Sequence, residues 1–113
     1  YKPGTPVYEF ELKETTQYVR VYNPEAPNYQ SYKTGGWVMK YSDIEGLTPA
    51  QIRDKFALPN EPIKICEVNV PAGTKMYVGI ANEAPEWGKG LGTQFELGQI
   101  IDKTYFVNER PLS

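Results

Sequence analysis

Histidine is absent from the 113 residues. Without an imidazole there is no Ser-His-Asp triad, no Cys-His pair, no two-histidine ribonuclease centre and no His-ligated metal. Any chemistry has to come from carboxylates, Arg, Lys, Tyr, Ser, Thr or the backbone. Cysteine occurs once, as Cys66, so there is no disulfide framework and no zinc-ligand spacing. In the apolar run IKICEVNV that thiol is expected to pack as a small buried hydrophobe. A basic excess is also missing: 12 Lys and Arg against 14 Asp and Glu leave a net charge of −2. That is no electrostatic footprint for nucleic acid. No apolar run approaches transmembrane length and no signal peptide is visible, so no membrane partner is expected.

What remains is rich in turn and strand formers, with nine Tyr, ten Pro and ten Gly. The length suits one domain, and the composition suits short strands joined by sharp turns. The chain starts YKPGTPVY without an initiator Met, which reads as a fragment cut from a longer polypeptide. In Val7 to Leu12, Tyr8, Phe10 and Leu12 alternate with Glu9 and Glu11, as in a half-buried strand. In Gln17 to Tyr22, Val19 and Val21 point one way and Tyr18, Arg20 and Tyr22 the other. NPEAPNYQSYKTGG is a long loop, the kind that tends to be functional or mobile. Trp37 to Tyr41 returns to strand character.

GLTPAQIRDKFALP carries the clearest helix signal. Thr48 is a good N-cap, Pro49 fits the first helical position, and Gln51 completes a capping box. Ile52 and Phe56 share a face, and Pro59 ends the helix near Leu58. In Ile63 to Val70 the apolar phase slips between Ile65 and Cys66, so this strand is either buried on both faces or bulged. VPAGT then reads as a turn joining it to Lys75 to Ile80 in a hairpin. Short strands over Thr93 to Leu97 and within TYFVNERPL complete a compact α+β fold of six or seven short strands and one clear helix.

Four features could carry chemistry. Arg20, mid-strand between two tyrosines, is either a solvated arginine or an anion site, since guanidinium offers a planar fork of donors. GKGLG, from Gly88 to Gly92, is neither G-x-G-x-x-G nor a Walker loop, and it precedes a strand rather than a helix. It is a flexible connection or a loop that closes on a ligand. Gln94 and Glu96, two apart, project from one strand face and are either a plain polar face or a pair that can grip sugar hydroxyls and stabilise an oxocarbenium ion. TGGW, from Thr34 to Trp37, is a turn or a ligand wall with Trp37 as a stacking plate.

Together Arg20 on an early strand and Gln94-x-Glu96 on a late one resemble the catalytic set of ADP-ribosyltransferase toxins. Thr34, Ser31 and Ser42 are the candidates for that superfamily's middle Ser/Thr element, which is not present as such. YVRVY, GGWVMKYSDIEGLTPAQIRDKFALP, VPAGTKMYVGIAN and WGKGLGTQFEL look like the C-terminal toxin domains of bacterial polymorphic toxins. These domains end Rhs-type and contact-dependent-inhibition proteins, and the chain resembles their TreTu-type branch, ADP-ribosyltransferases whose known target is elongation factor Tu. The Gly-rich/Gln stretch is also similar to NAD glycohydrolase toxins of the tuberculosis necrotizing toxin type.

The resemblance implies a split β-sheet core and a single catalytic toxin domain over residues 1–113, the end of a larger secreted effector delivered to a recipient bacterial cytoplasm. It implies NAD as substrate, no metal, a cognate immunity protein, and a target protein such as elongation factor Tu whose modification blocks translation. On that reading Glu96 and Gln94 are catalytic with Arg20, and Arg20, Tyr22, Thr34, Gly36 and Trp37 hold NAD. Gly88 to Gly92 becomes a mobile loop facing the target. The chemistry needs neither metal nor histidine, because nicotinamide is already a good leaving group. The alternatives are NAD hydrolysis on the same scaffold, a histidine-free toxin ribonuclease acting on tRNA, and a non-catalytic binding module with a tyrosine-rich face.

Overall fold

The computed structural model describes residues 2–82 and 88–112. Among them are seven strands and one α-helix: β1 (Tyr8–Glu11), β2 (Thr16–Tyr22), β3 (Trp37–Val38), α1 (Pro49–Phe56), β4 (Lys64–Val70), β5 (Lys75–Ile80), β6 (Thr93–Leu97) and β7 (Phe106–Pro111). They form two antiparallel sheets, one ordered β1-β5-β6-β3 and the other β2-β4-β7. The expected α+β class with a divided sheet is therefore what the chain adopts.

The expected hairpin between β4 and β5 does not form, because the two strands lie in different sheets. Instead the chain makes one long antiparallel ribbon. Tyr8 to Glu11 pair with Val78 to Lys75, and Thr16 to Tyr22 pair with Val70 to Lys64. The ribbon bends between these ladders. There Gly73 donates from its backbone N to Leu12 O at 2.7 Å, and Leu12 N donates to Thr74 O at 3.0 Å. The Pro71 turn is thus a corner that carries the chain from one sheet to the other. Its Gly73 amide is spent on Leu12, while Thr74 N closes the turn on Pro71 O at 3.3 Å.

The phase slip in β4 marks both double-sided burial and a bulge. Ile65 faces one core, Cys66, Val68 and Val70 the other, and the pairing with β7 shifts between Ile65 and Glu67. The larger core lies between the sheets, where the Tyr18 and Phe95 rings sit 5.0 Å apart and Phe10 meets Phe95 edge-on at 6.3 Å. The second core packs α1 on the outer face of β2 and β4 through Ile52 and Phe56 with Val19, Val21 and Ile65. Burying those two helix side chains is worth about 1.5–3 kcal/mol each.

Thr48 and Gln51 form the capping box reciprocally, at 3.2 and 2.9 Å. The helix ends two residues before Leu58. Ala57 turns into the left-handed region with φ 50, and its N–H returns to the Arg53 and Asp54 carbonyls. Strand β3 is shorter than WVMKY suggested. Trp37 and Val38 pair with Glu96 and Phe95 of β6, but Met39 leaves that sheet and exchanges two 2.9 Å hydrogen bonds with Val19 of β2. The segment 37–39 therefore bridges the two sheets, and a cleft opens where it crosses.

Candidate functional site

Alternation along β2 turns Arg20 inward with Tyr18 and Tyr22. Its side chain is not solvated: the residue is 8% exposed. Nε donates to Tyr32 O at 2.9 Å and Nη1 to Trp37 O at 3.0 Å, so the guanidinium ties down both ends of the segment entering β3. Gly35 lies flat against it. A Cβ there would sit 2.3 Å from Nη2 and 2.4 Å from Cζ, so only glycine admits the cation at this place.

Among the described residues no carboxylate lies within ion-pair distance of Arg20. Burial pulls its pKa down, offset in part by Cys66 and Tyr22. Arginine nonetheless stays charged. A buried cation satisfied by neutral carbonyls, without a counter-charge, is a costly arrangement that an anionic ligand relieves.

Arg20 borders a pocket of about 260 Å³ at the split between the sheets. One wall is β2 and the loop after it, through Tyr22, Asn23, Tyr29 and Ser31. A second is Trp37, Val38 and Met39, and a third is Phe56 with the turn that follows α1. Gln94 closes the pocket from β6. Its placement follows from the topology. Its cross-strand neighbour on β5 is Gly79, which has no side chain, and pairing with β3 has stopped one residue earlier at Phe95. Gln94 therefore faces the opening that the departure of Met39 creates.

The structure thus brings Arg20, Tyr22, Trp37 and Gln94 around one cavity. Glu96 shares the strand face of Gln94 and stands opposite Trp37 in register, but it is not part of this lining. Thr34 and Gly36 line a different cavity of about 470 Å³, with Leu97, Gly98 and Phe106, on the other side of the 34–37 segment. Ser31 lines the Arg20 pocket, where its Oγ accepts from Asn23 N at 2.8 Å. Ser42 sits on the short 3-10 turn Tyr41–Asp43, away from both cavities. The Tyr22 hydroxyl donates to the Glu109 carboxylate of β7, and burial together with that bond pushes its pKa far above the phenol range. Cys66 is fully buried opposite Arg20, and burial pushes its thiol up as well.

The glycine-rich stretch has a different task from the mobile loop expected of it. Gly90 N donates to Asp54 O at 2.8 Å, Gly92 N to Lys55 O at 3.0 Å, and Lys89 N to the Asp54 carboxylate at 3.0 Å. These amides add bonds to the Asp54 and Lys55 carbonyls and to the Asp54 carboxylate at the end of α1, where Asp54 O already accepts from Ala57 N. A Cβ on Gly92 would stand 2.8 Å from the Phe56 ring and 2.9 Å from Lys55 O. The glycines are there so that backbone can lie on the helix end. Trp87, which opens the quoted stretch, lies outside the described residues.

Sequence reasoning missed Tyr29, Asn23 and Asn60 as parts of the pocket. The signal for Asn23 was available: it precedes a proline in a long loop, and its side chain accepts from Glu25 N at 3.1 Å as an Asx turn. Nothing local marks Tyr29 or Asn60, which reach the pocket through tertiary packing. In chemical terms the site offers a buried cation for an anion, a partly exposed tryptophan, and an amide able to donate and accept. Its volume of about 260 Å³ is at the small end for a ligand site.

No protein-family profile and no curated protein sequence matches the chain. A solved structure of Tne2 in complex with Tni2 is similar to it. The TM-score is 0.72 over 99% of this chain and 97% of that one, at 21% sequence identity. The two chains share a fold along nearly their whole lengths.

Proposed function

We propose that this chain is a bacterial toxin domain that cleaves the nicotinamide–ribose bond of NAD, and that it passes the ribose to water rather than to a protein. The observation that carries this reading is the convergence of Arg20, Trp37 and Gln94 on one small pocket at the sheet split, with Glu96 outside it. A transferase of the type resembled relies on the glutamate two residues after Gln94 and on a loop free to meet a target protein. Here the glycine-rich segment is bonded to the end of α1. Both points favour hydrolysis. The fold shared with a protein that is found bound to a second protein supports a cognate immunity partner for this chain.

In the proposed step the bond between ribose C1′ and the pyridinium nitrogen breaks. The electron pair goes to the ring, and neutral nicotinamide leaves. Water forms the new bond to C1′ and releases its proton to solvent, giving ADP-ribose. Arg20 holds the Tyr32 and Trp37 carbonyls, which fixes the wall of the pocket, and its charge favours the diphosphate. Trp37 offers its face to the nicotinamide ring. Gln94 holds a ribose hydroxyl or the attacking water by its side-chain amide, so that the cation developing at C1′ meets an oriented dipole.

Incubation of the domain with adenylate-labelled NAD and a bacterial lysate tests this. Hydrolysis yields free labelled ADP-ribose and no labelled protein. A labelled protein band restores the transferase reading, and intact NAD alongside cut RNA removes both.

A further inference from the structure

The chain changes holders just before Gln94. From Phe95 onward β6 is paired with β3 on one side and with β5 on the other. Ahead of Gln94 the end of α1 takes the place of β3: Gly92 N donates to Lys55 O at 3.0 Å and Gly90 N to Asp54 O at 2.8 Å. Lys55 O is open to this bond because the residue four places on is Pro59, which has no N–H to donate. Ala81 continues the β5 side, with Ala81 N donating to Gly92 O and Leu91 N to Ala81 O, both at 2.9 Å. Asp54 adds its side chain to this seam, since its carboxylate accepts from Lys89 N at 3.0 Å. On helix grounds an aspartate is out of place there. It is a poor helix former, and its negative charge lies in the last turn, where the macrodipole favours cations. Arg53 and Lys55 on either side of it follow that preference.

We infer that Asp54 is a positioning residue for Gln94: through Lys89 N and the glycines behind it, Asp54 holds the leading end of β6 against α1 and so fixes where the Gln94 amide faces the pocket. The inference rests on the reading of Gln94 as the amide that serves NAD cleavage. The same helix end carries a wall of the pocket, because Phe56, Ala57, Leu58, Pro59 and Asn60 line it. The seam between residues 88–92 and α1 therefore sets the gap between that wall and Gln94. An oriented dipole helps a reaction only while it is held in place. A looser seam leaves the ligand its walls and lets the amide stray from the ribose, so it acts on turnover more than on binding.

The test compares Asp54→Ala and Asp54→Asn with the parent domain, and Asp54→Ala with and without Gln94→Ala. Asp54→Ala removes the acceptor but puts the best helix former in its place, so the melting temperature should stay within ~4 °C of the parent. Its kcat for NAD cleavage should still fall roughly fivefold, with KM within about twofold. Asp54→Asn keeps an oxygen that accepts from Lys89 N and should retain kcat within about twofold. In the Gln94→Ala background, Asp54→Ala should change the remaining kcat by less than about twofold, because the group it positions is gone. An unchanged kcat in Asp54→Ala, an equal loss in Asp54→Asn, or the same loss with and without the Gln94 side chain overturns the assignment while leaving NAD cleavage by the parent intact. A parent domain that does not cleave NAD overturns both readings together.

Discussion

Gly35→Ala is the sharpest perturbation the structure offers. The new methyl would lie 2.3 Å from Arg20 Nη2 and 2.4 Å from Cζ. These atoms are not the loose end of a flexible chain. The guanidinium is buried and bonded to Tyr32 O and Trp37 O, so it cannot yield without releasing at least one of them. A hydrogen bond to a charged group contributes about 1.5–3 kcal/mol. Displacement of the cation should therefore cost about 2–4 kcal/mol after partial relaxation. At this chain length 1 kcal/mol corresponds to about 4 °C, so the melting temperature should fall by roughly 8–16 °C.

Gly36→Ala is the control, because a Cβ at Gly36 meets nothing within 4 Å. It should stay within about 0.5 kcal/mol of the parent. Urea denaturation of both variants reads the difference directly. In an Arg20→Ala background, Gly35→Ala should add less than ~1 kcal/mol, because the two changes remove the same contact. Equal stability of Gly35→Ala and Gly36→Ala, or full additivity with Arg20→Ala, would refute the clamp.

Gln94→Ala should lower kcat for NAD cleavage by about 10²-fold with the fold intact by circular dichroism, whereas Glu96→Ala should keep at least about a fifth of the parent activity; the reverse order would return catalysis to Glu96. Thr48→Ala removes half of the capping box and should cost ~1 kcal/mol in denaturation, with KM little changed if α1 serves only as a wall. Alkaline stability should fall early. Burial raises Tyr22, Tyr18 and Cys66 above their ordinary values of 10.0, 10.0 and 9.0, so each favours the folded state while protonated. That contribution is complete below pH 9 and is lost as the pH rises through the higher folded values. Melting temperature against pH should decline above about 9 together with a cooperative tyrosinate absorbance change; titration of Tyr18 and Tyr22 near pH 10 without unfolding would contradict their burial.

Much of this was legible where the determinants are local. The capping box of Thr48 and Gln51, the alternation in β2 and the phase slip at Ile65 and Cys66 each specify geometry within a few residues. The pairing of β4 was not legible in that way. The VPAGT turn is compatible with a hairpin, and what diverts it is the distant Leu12, which takes up the Gly73 and Thr74 backbone groups. The site divided along the same line. Arg20 and Gln94 could be named because residue type and strand phase suffice to place them on usable faces. Separating Gln94 from Glu96 required the point at which Met39 leaves one sheet for the other, a property of three strands distant in sequence. The glycines of 88–92 were misread because flexibility and close packing select the same residue, and only the nearby end of α1 tells them apart.

We assign NAD hydrolysis to the pocket of Arg20, Trp37 and Gln94. Proton NMR of NAD mixed with the purified domain, followed in real time for the parent and for Gln94→Ala, tests it most directly. The parent should release one nicotinamide and one free ADP-ribose for each NAD consumed, and the variant should lose almost all of this turnover. NAD left intact by the parent, or a variant as fast as the parent, would contradict it.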